Sequence, residues 1–238
     1  MKRARLLALA TMAIFVLGAV AAVAASAENV EILPVPTAKE PLQFESKAVG
    51  NSFVEGEVAG SALECTSVTS KGEFTSASLG TGTIDFTGCK SPLNGAKCNS
   101  LGDGAGVILV VVDWHLVDVL LPAGHPLPEL MLGLAAILLA LLHLECSATI
   151  LELLGNNVMG EFVKMAASGT KTKTGEVNFE TTKGVQEVKE CDFDKAFCFK
   201  EATHKTFGLY LELGKGREKA GLQLAAEVTL QKEAAFDY

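Results

Sequence analysis

The chain is 238 residues long, with 20 Lys+Arg against 28 Asp+Glu and a formal charge of −8. An acidic surface with no basic patch excludes nucleic acid and anionic lipid headgroups as partners, because both need a positive field. One Trp and two Tyr also count against a sugar-binding platform built from exposed aromatic rings.

Lys2, Arg3 and Arg5 precede an apolar run over residues 6–25, and Ala25-Ser26-Ala27 supplies a small-residue cleavage site before Glu28. This is the pattern of a secretory signal peptide over residues 1–27. A retained anchor helix is the alternative, since the run approaches the roughly 20 residues that span a bilayer. No cysteine follows the run, which speaks against a lipoprotein anchor. Cleavage removes three basic residues and no acidic one, leaving 17 against 28 and a charge of −11 on 211 residues. A chain of that length buries a substantial core, in one large β domain or two small ones.

Residues 28–45 contain Pro34, Pro36 and Pro41 and are predicted to form an extended lead-in that cannot hold a helix. The β domain is expected over 46–238, with halves at 46–106 and 107–238. Across 46–65, Val49, Phe53, Val54, Val58 and Leu63 are spaced among Gly50, Gly56 and Gly60, as in hairpin strands with turns or bulges. Residues 81–87 alternate, with Ile84 and Phe86 on one face and Thr83, Asp85 and Thr87 on the other. Residues 90–106 read as loop; the glycines of 102–106 lack the Lys-Ser/Thr and the strand-to-helix setting of a phosphate cradle. The apolar runs 107–112 and 116–121 are predicted as strands buried on both faces.

The run 130–142 has helical propensity but is too short to cross a membrane comfortably. It reads as a long buried strand or strand pair leading into Cys146, with a buried or interfacial helix as the alternative. Alternation resumes over 148–151, Gly155-Asn156-Asn157 marks a turn, 158–165 is a strand, and Val177, Phe179 and Thr181 mark another. A loop carries Cys191 and Cys198. Residues 206–213 and 222–230 flank a polar loop, as a hairpin does.

Six cysteines in an exported chain predict disulfides, although six allow 15 connectivities. Proximity favours Cys89 with Cys98 and Cys191 with Cys198, which leaves Cys65 with Cys146, a long-range link worth roughly 4 kcal/mol in the loop-entropy model. A structural zinc site is the competing use, but no Cys-x-x-Cys occurs and export favours oxidation.

Three short words recur in order. Leu63-Glu64-Cys65, Gly72-Glu73-Phe74 and Thr81-Gly82-x-Ile84-Asp85-Phe86 are echoed by Leu144-Glu145-Cys146, Gly160-Glu161-Phe162 and Thr174-Gly175-x-Val177-Asn178-Phe179. A duplication would place Cys65 and Cys146 at equivalent positions across a pseudo-twofold axis; chance recurrence in a β protein is the alternative. Together with Thr87-Gly88-Cys89, Lys97-Cys98, His115-Leu116-Val117, Lys183-Gly184-Val185-Gln186-Glu187 and Glu218-Lys219-Ala220-Gly221-Leu222, these words resemble a group of exported β-rich proteins of actinobacteria. The resemblance covers nearly the whole mature chain. It implies an exported β domain and brings no activity, cofactor or catalytic residue; Cys191 and Cys198 stand apart from the shared cysteines.

The four histidines, His115, His125, His143 and His204, are the first candidates for acid/base or metal chemistry. In a strand, Asp113 and His115 share a face while Asp118 takes the other, so a strand-edge pair beside an anchoring Trp114 is expected rather than a metal or acid/base centre. His125 reads as a turn residue and His143 as a satisfied histidine at the edge of the core. No Gly-x-Ser-x-Gly elbow occurs. Glu73, Glu161, Glu176 and Glu180 are expected on solvated faces, and nothing selects a glycosidase pair. Asp103 and the 191–194 loop lack the oxygen ligands of a calcium site.

The expectation is therefore an all-β, antiparallel β-sandwich or barrel-like domain, stapled by disulfides and composed of two related halves. It would serve as a secreted or cell-surface binding or structural module with a cell-envelope or extracellular ligand. No catalytic residue, metal or cofactor is assigned, and no membrane partner is expected after leader cleavage. The alternatives are a secreted hydrolase whose site assembles only in the fold, and a membrane-associated protein using 130–142 or an uncleaved leader.

Overall fold

A computed structural model describes residues 31–57, 60–120, 126–134, 141–146, 149–155, 157–164, 166–182, 184–186, 209–213 and 216–237. Among these residues the fold is all-β, with no helix. The first strands are β1 (Glu31–Leu33), β2 (Leu42–Ala48), β3 (Ser52–Gly56), β4 (Gly60–Cys65), β5 (Ser67–Phe74) and β6 (Leu79–Thr87). Then come β7 (Cys98–Ser100), β8 (Val107–Leu120), β9 (Pro126–Leu134), β10 (Leu141–Cys146), β11 (Thr149–Gly155) and β12 (Asn157–Lys164). The chain finishes with β13 (Lys171–Phe179), β14 (Thr181–Thr182), β15 (Val185–Gln186), β16 (Leu209–Leu213) and the 22-residue β17 (Gly216–Asp237).

All pairings are antiparallel, and fifteen strands join into one sheet beside the small β14–β15 pair. Taken whole, that sheet is not closed into a barrel: β4 and β7 are the last named strands of its upper part, and isolated bridges at Lys90 lie between them. Its lower part is barrel-like. From β2, hydrogen-bonded neighbours run through β5, β6, β8, β9, β12 and β13 to β17, and β17 pairs with β2 again.

This circuit follows chain order, and its excursions all leave from one end. The β2–β5 connection carries β3 and β4, β6–β8 carries β7, and β9–β12 carries β10 and β11. The segment between β13 and β17 carries β16. These excursions pair with one another and with the first residues of β17, in the order β4-β3-β17-β16-β11-β10-β7.

Alternation decides which side chains meet. In β5, Val68, Ser70 and Phe74 are buried, and their partners across β2, β6 and β8 share that parity, including Phe44, Ile84, Val110, Val112 and Trp114. Trp114 packs edge-on against Phe44, with centroids 5.2 Å apart and planes at 75°, and Phe44 contacts Phe74 at 5.2 Å. The indole fits because two inward positions have no side chain. A Cβ on Gly72 would stand 2.9 Å from Trp114 Nε1, and one on Gly82 would stand 2.8 Å from it.

The repeated words use the same device twice. Gly160 lies under Phe179, 2.7 Å from where its own Cβ would be, and Phe162 is buried as Phe74 is. Thus Gly-Glu-Phe places a gap and a phenylalanine inward on either side of an outward carboxylate. The Gly-Glu-Phe words fall on topologically matching strands, β5 and β12, and the Thr-Gly words on β6 and β13. The Leu-Glu-Cys words do not: β4 leads directly into β5, whereas β10 is followed by β11 before β12.

Two further expectations are corrected by the sheet, and two are met with different bounds. The proline-containing lead-in is extended but is part of the fold: β1 pairs with the end of β17, Ile32 is fully buried, and Leu42 and Phe44 enter the core. Residues 107–112 and 116–120 fall in a single strand, β8, with residue 121 outside the described residues, and the run 107–112 is not buried on both faces. Ile108, Val110, Val112, Trp114 and Leu116 are buried, while Leu109 and Val111 are 46% and 57% exposed. A circuit lined on its inner side needs only one parity of each strand, so the outward residues Leu109 and Val111 face solvent. As expected, strands lead into Cys146: residues 130–134 belong to β9 and 141–142 to β10, with 135–140 outside the described residues. Last, β17 begins at Gly216, well before Leu222, and pairs with β16 as the expected hairpin.

The cysteines pair otherwise than by proximity. Disulfides join Cys65 to Cys89 and Cys98 to Cys146, in place of the expected Cys89–Cys98 and Cys65–Cys146. Cys191 and Cys198 lie outside the described residues. The backbones of Cys89 and Cys98 are indeed neighbours, with Cys98 N–H donating to Cys89 O at 3.0 Å. Lys90 bridges both Glu64 and Lys97, and Cys146 stands opposite Cys98, so the four cysteines form one row across four adjacent segments. Bonding the inner two would leave the outer two roughly 14 Å apart at about 4.8 Å per strand, beyond the reach of a disulfide. Only inner-to-outer pairing uses all four sulfurs.

Candidate functional site

A groove of about 460 Å³ crosses the outer face of β5, β2 and β17. Its floor is the backbone of Gly72, Phe44 and Leu230, which are in register across the three strands. Its walls are the outward residues Gln43, Glu45, Lys71, Glu73, Thr229 and Gln231. Alternation puts all six outward because Phe44 and Leu230 point into the core. The lining combines two amides, a hydroxyl, two carboxylates and an ammonium, so it offers donors and acceptors of both signs. Lys71 Nζ lies 3.3 Å from Glu45 Oε1 with both side chains mostly exposed, an arrangement that contributes little to stability.

Of the residues singled out from sequence, Glu73 alone reaches this groove. Asp113 is exposed on β8 and Trp114 is buried beside it, in accord with the anchoring role. For His115 and Asp118 only the backbone is described: His115 stands opposite Leu79 and Met131, and Asp118 opposite Pro128. His143 is exposed on β10 opposite Glu152 and is not a core-edge residue, because the inward parity of β10 belongs to Leu144 and Cys146. His125 and His204 lie outside the described residues, as does the 191–194 loop. Glu176 is half-buried through its pairing with Lys164. That ion pair raises the Lys164 ammonium above its usual range, chiefly through the hydrogen bond to Glu176.

The 90–106 segment is a loop apart from β7. Gly102 and Gly106 have φ of +90° and +84°, which favours glycine, and Ser100 Oγ accepts from Leu109 N–H at 3.1 Å while donating to Asp103. Asp103 is thereby used in shaping the turn. Among the described residues no group of three or more His, Cys, Asp or Glu could hold a metal ion. No helix among them is long and apolar enough to cross a membrane.

Partial burial pushes the Asp113 carboxyl above its usual 3.8. The folded state therefore binds its proton more tightly than the unfolded state does. The contribution of Asp113 to stability is therefore most favourable below 3.8 and is lost as pH rises through the raised value. Asp113→Asn is expected to increase the urea midpoint at pH 7 and to leave it unchanged near pH 3; equal midpoints at pH 7 would remove the desolvation account.

Sequence reasoning missed most of the groove, although one signal for it was present. Gln231-Lys232-Glu233 places three polar residues in succession inside β17, as Arg217-Glu218-Lys219 does near its start, and only the later triplet is exposed throughout. Compared with known proteins, the chain matches no family model, no curated protein and no solved structure.

Proposed function

We propose that the chain works outside the cytoplasm as a binding module whose ligand sits in the groove across β5, β2 and β17. The observation that carries this reading is a concave, polar-lined surface built on regular strands, where side-chain positions are held by neighbouring ladders. Two disulfides fit an oxidising environment, in keeping with the leader expected over 1–27. Function is argued here from the site, since an all-β fold hosts many activities.

Photo-crosslinking in the exporting cell tests the proposal. A benzophenone amino acid at position 43 faces the groove, whereas one at position 49, in the exposed turn after β2, does not. The expected result is a light-dependent adduct from position 43 that is absent from position 49. Identical adducts from both positions, or none from position 43, would overturn the reading.

A further inference from the structure

We infer that the groove takes an extended peptide segment, recognised chiefly through its main chain. β17 is 22 residues long, yet its registers with β1, β2, β3, β13 and β16 all skip Gln231, Lys232 and Glu233. At the other wall, Leu42 and Gln43 pair with β5 but have no partner on β17. The ladder between β2 and β17 holds under most of the groove, with Thr229 opposite Glu45 and Leu230 opposite Phe44, and stops at the Gln43 and Gln231 end.

The interruption has a plain geometric cause. β1 and β2 both run antiparallel to β17, with Leu33 opposite Ala235 and Phe44 opposite Leu230. Ten residues, 34–43, occupy an interval that β17 crosses with four, 231–234. The surplus leaves the ladder as a turn in which Thr37 and Glu40 exchange main-chain hydrogen bonds of 3.2 and 3.0 Å. Among the described residues, 231–233 have no ladder partner on the β2 side, bordered by Gln43, and on the other side they bulge against β13 between Thr172 and Thr174.

Strand backbone without a ladder partner is a template for an added strand. An interval of four residues admits roughly three or four residues of an extended ligand, with every second N–H and C=O turned to the protein. Gln43, Gln231 and Thr229 can then serve the ligand's side chains as neutral donors and acceptors. Glu73, opposite Gln43, adds a carboxylate that suits a basic side chain on the peptide. The groove wall holds no aromatic ring on which a sugar could stack.

This inference rests on the binding reading, and the test separates the two. A phage-displayed library of random peptides of about twelve residues is panned on the full exported chain, and enriched sequences are resynthesised with each residue N-methylated in turn. Main-chain recognition predicts that methylation at two or more alternate positions weakens binding about ten-fold or more. Gln231→Ala, which keeps the main chain, should change affinity less than about three-fold, and the peptides should suppress the adduct from position 43. Peptides that tolerate methylation throughout, peptides that leave the adduct intact, or a failure to enrich any would each overturn the inference. If peptides fail while the position-43 adduct persists, the ligand class is wrong and the binding module stands. Loss of both removes both.

Discussion

Replacing Gly82 with alanine is expected to lower stability by about 2–3 kcal/mol, the upper part of the range for forcing atoms into a packed core. The new methyl would stand 2.5 Å from Lys71 O and 2.8 Å from Trp114 Nε1. The first contact is with ladder backbone, which cannot yield without breaking β5–β6 pairing. The second is with a large ring already held edge-on by Phe44, so relief requires the indole to move outward. Trp114 is the chain's one tryptophan, and its emission reports this displacement directly. Denaturant melts and tryptophan fluorescence should change together, with a lower midpoint and a red-shifted native spectrum. Gly104→Ala is the matched control, because nothing lies within 4 Å of its added Cβ. Equal stability of the two variants, with unchanged emission, would mean that Trp114 does not sit over the glycines of β5 and β6.

The second large effect lies in the sulfur row. Cys98→Ala with Cys146→Ala removes a link between residues 48 apart in sequence, worth roughly 4 kcal/mol in the loop-entropy model. Cys65→Ala with Cys89→Ala removes one spanning 24, worth roughly 3.5 kcal/mol on the same basis. Each pair joins separate excursions of the chain at the upper end of the circuit, so their loss should loosen β4, β7 and β10 before the strands below.

The connectivity itself is checked by trypsin without reduction. Cleavage after Lys71, Lys90 and Lys97 puts Cys65 in fragment 48–71, Cys89 in 72–90, and both Cys98 and Cys146 in 98–164. The expected product is 48–71 joined to 72–90. Fragment 72–90 joined to 98–164 would instead indicate the proximity pairing and contradict the row.

The groove shows why a site of this kind is hard to read from sequence. Gln43, Lys71 and Thr229 come from three strands far apart in the chain, and none carries a motif. They converge because Phe44, Gly72 and Leu230 share a register. The polar triplet Gln231-Lys232-Glu233 was a weak signal, since Arg217-Glu218-Lys219 in the same strand is as polar and is fully paired with β16. Likewise, β-branched composition in 107–112 signalled a strand correctly, but exposure of Leu109 and Val111 depended on which parity the circuit enclosed.

What the sequence determined by itself was the class of the fold: period-two alternation in 81–87, Gly- and Pro-punctuated turns, and a strand rather than a helix leading into Cys146. These are local preferences, fixed by backbone sterics and by which residues can share one face of a pleat. Tertiary structure alone decided the sulfur pairing, the enclosed face of β8 and the interrupted ladder beside β17. Each depends on which distant strands become neighbours, and the energy that selects neighbours comes from burial summed over the whole circuit.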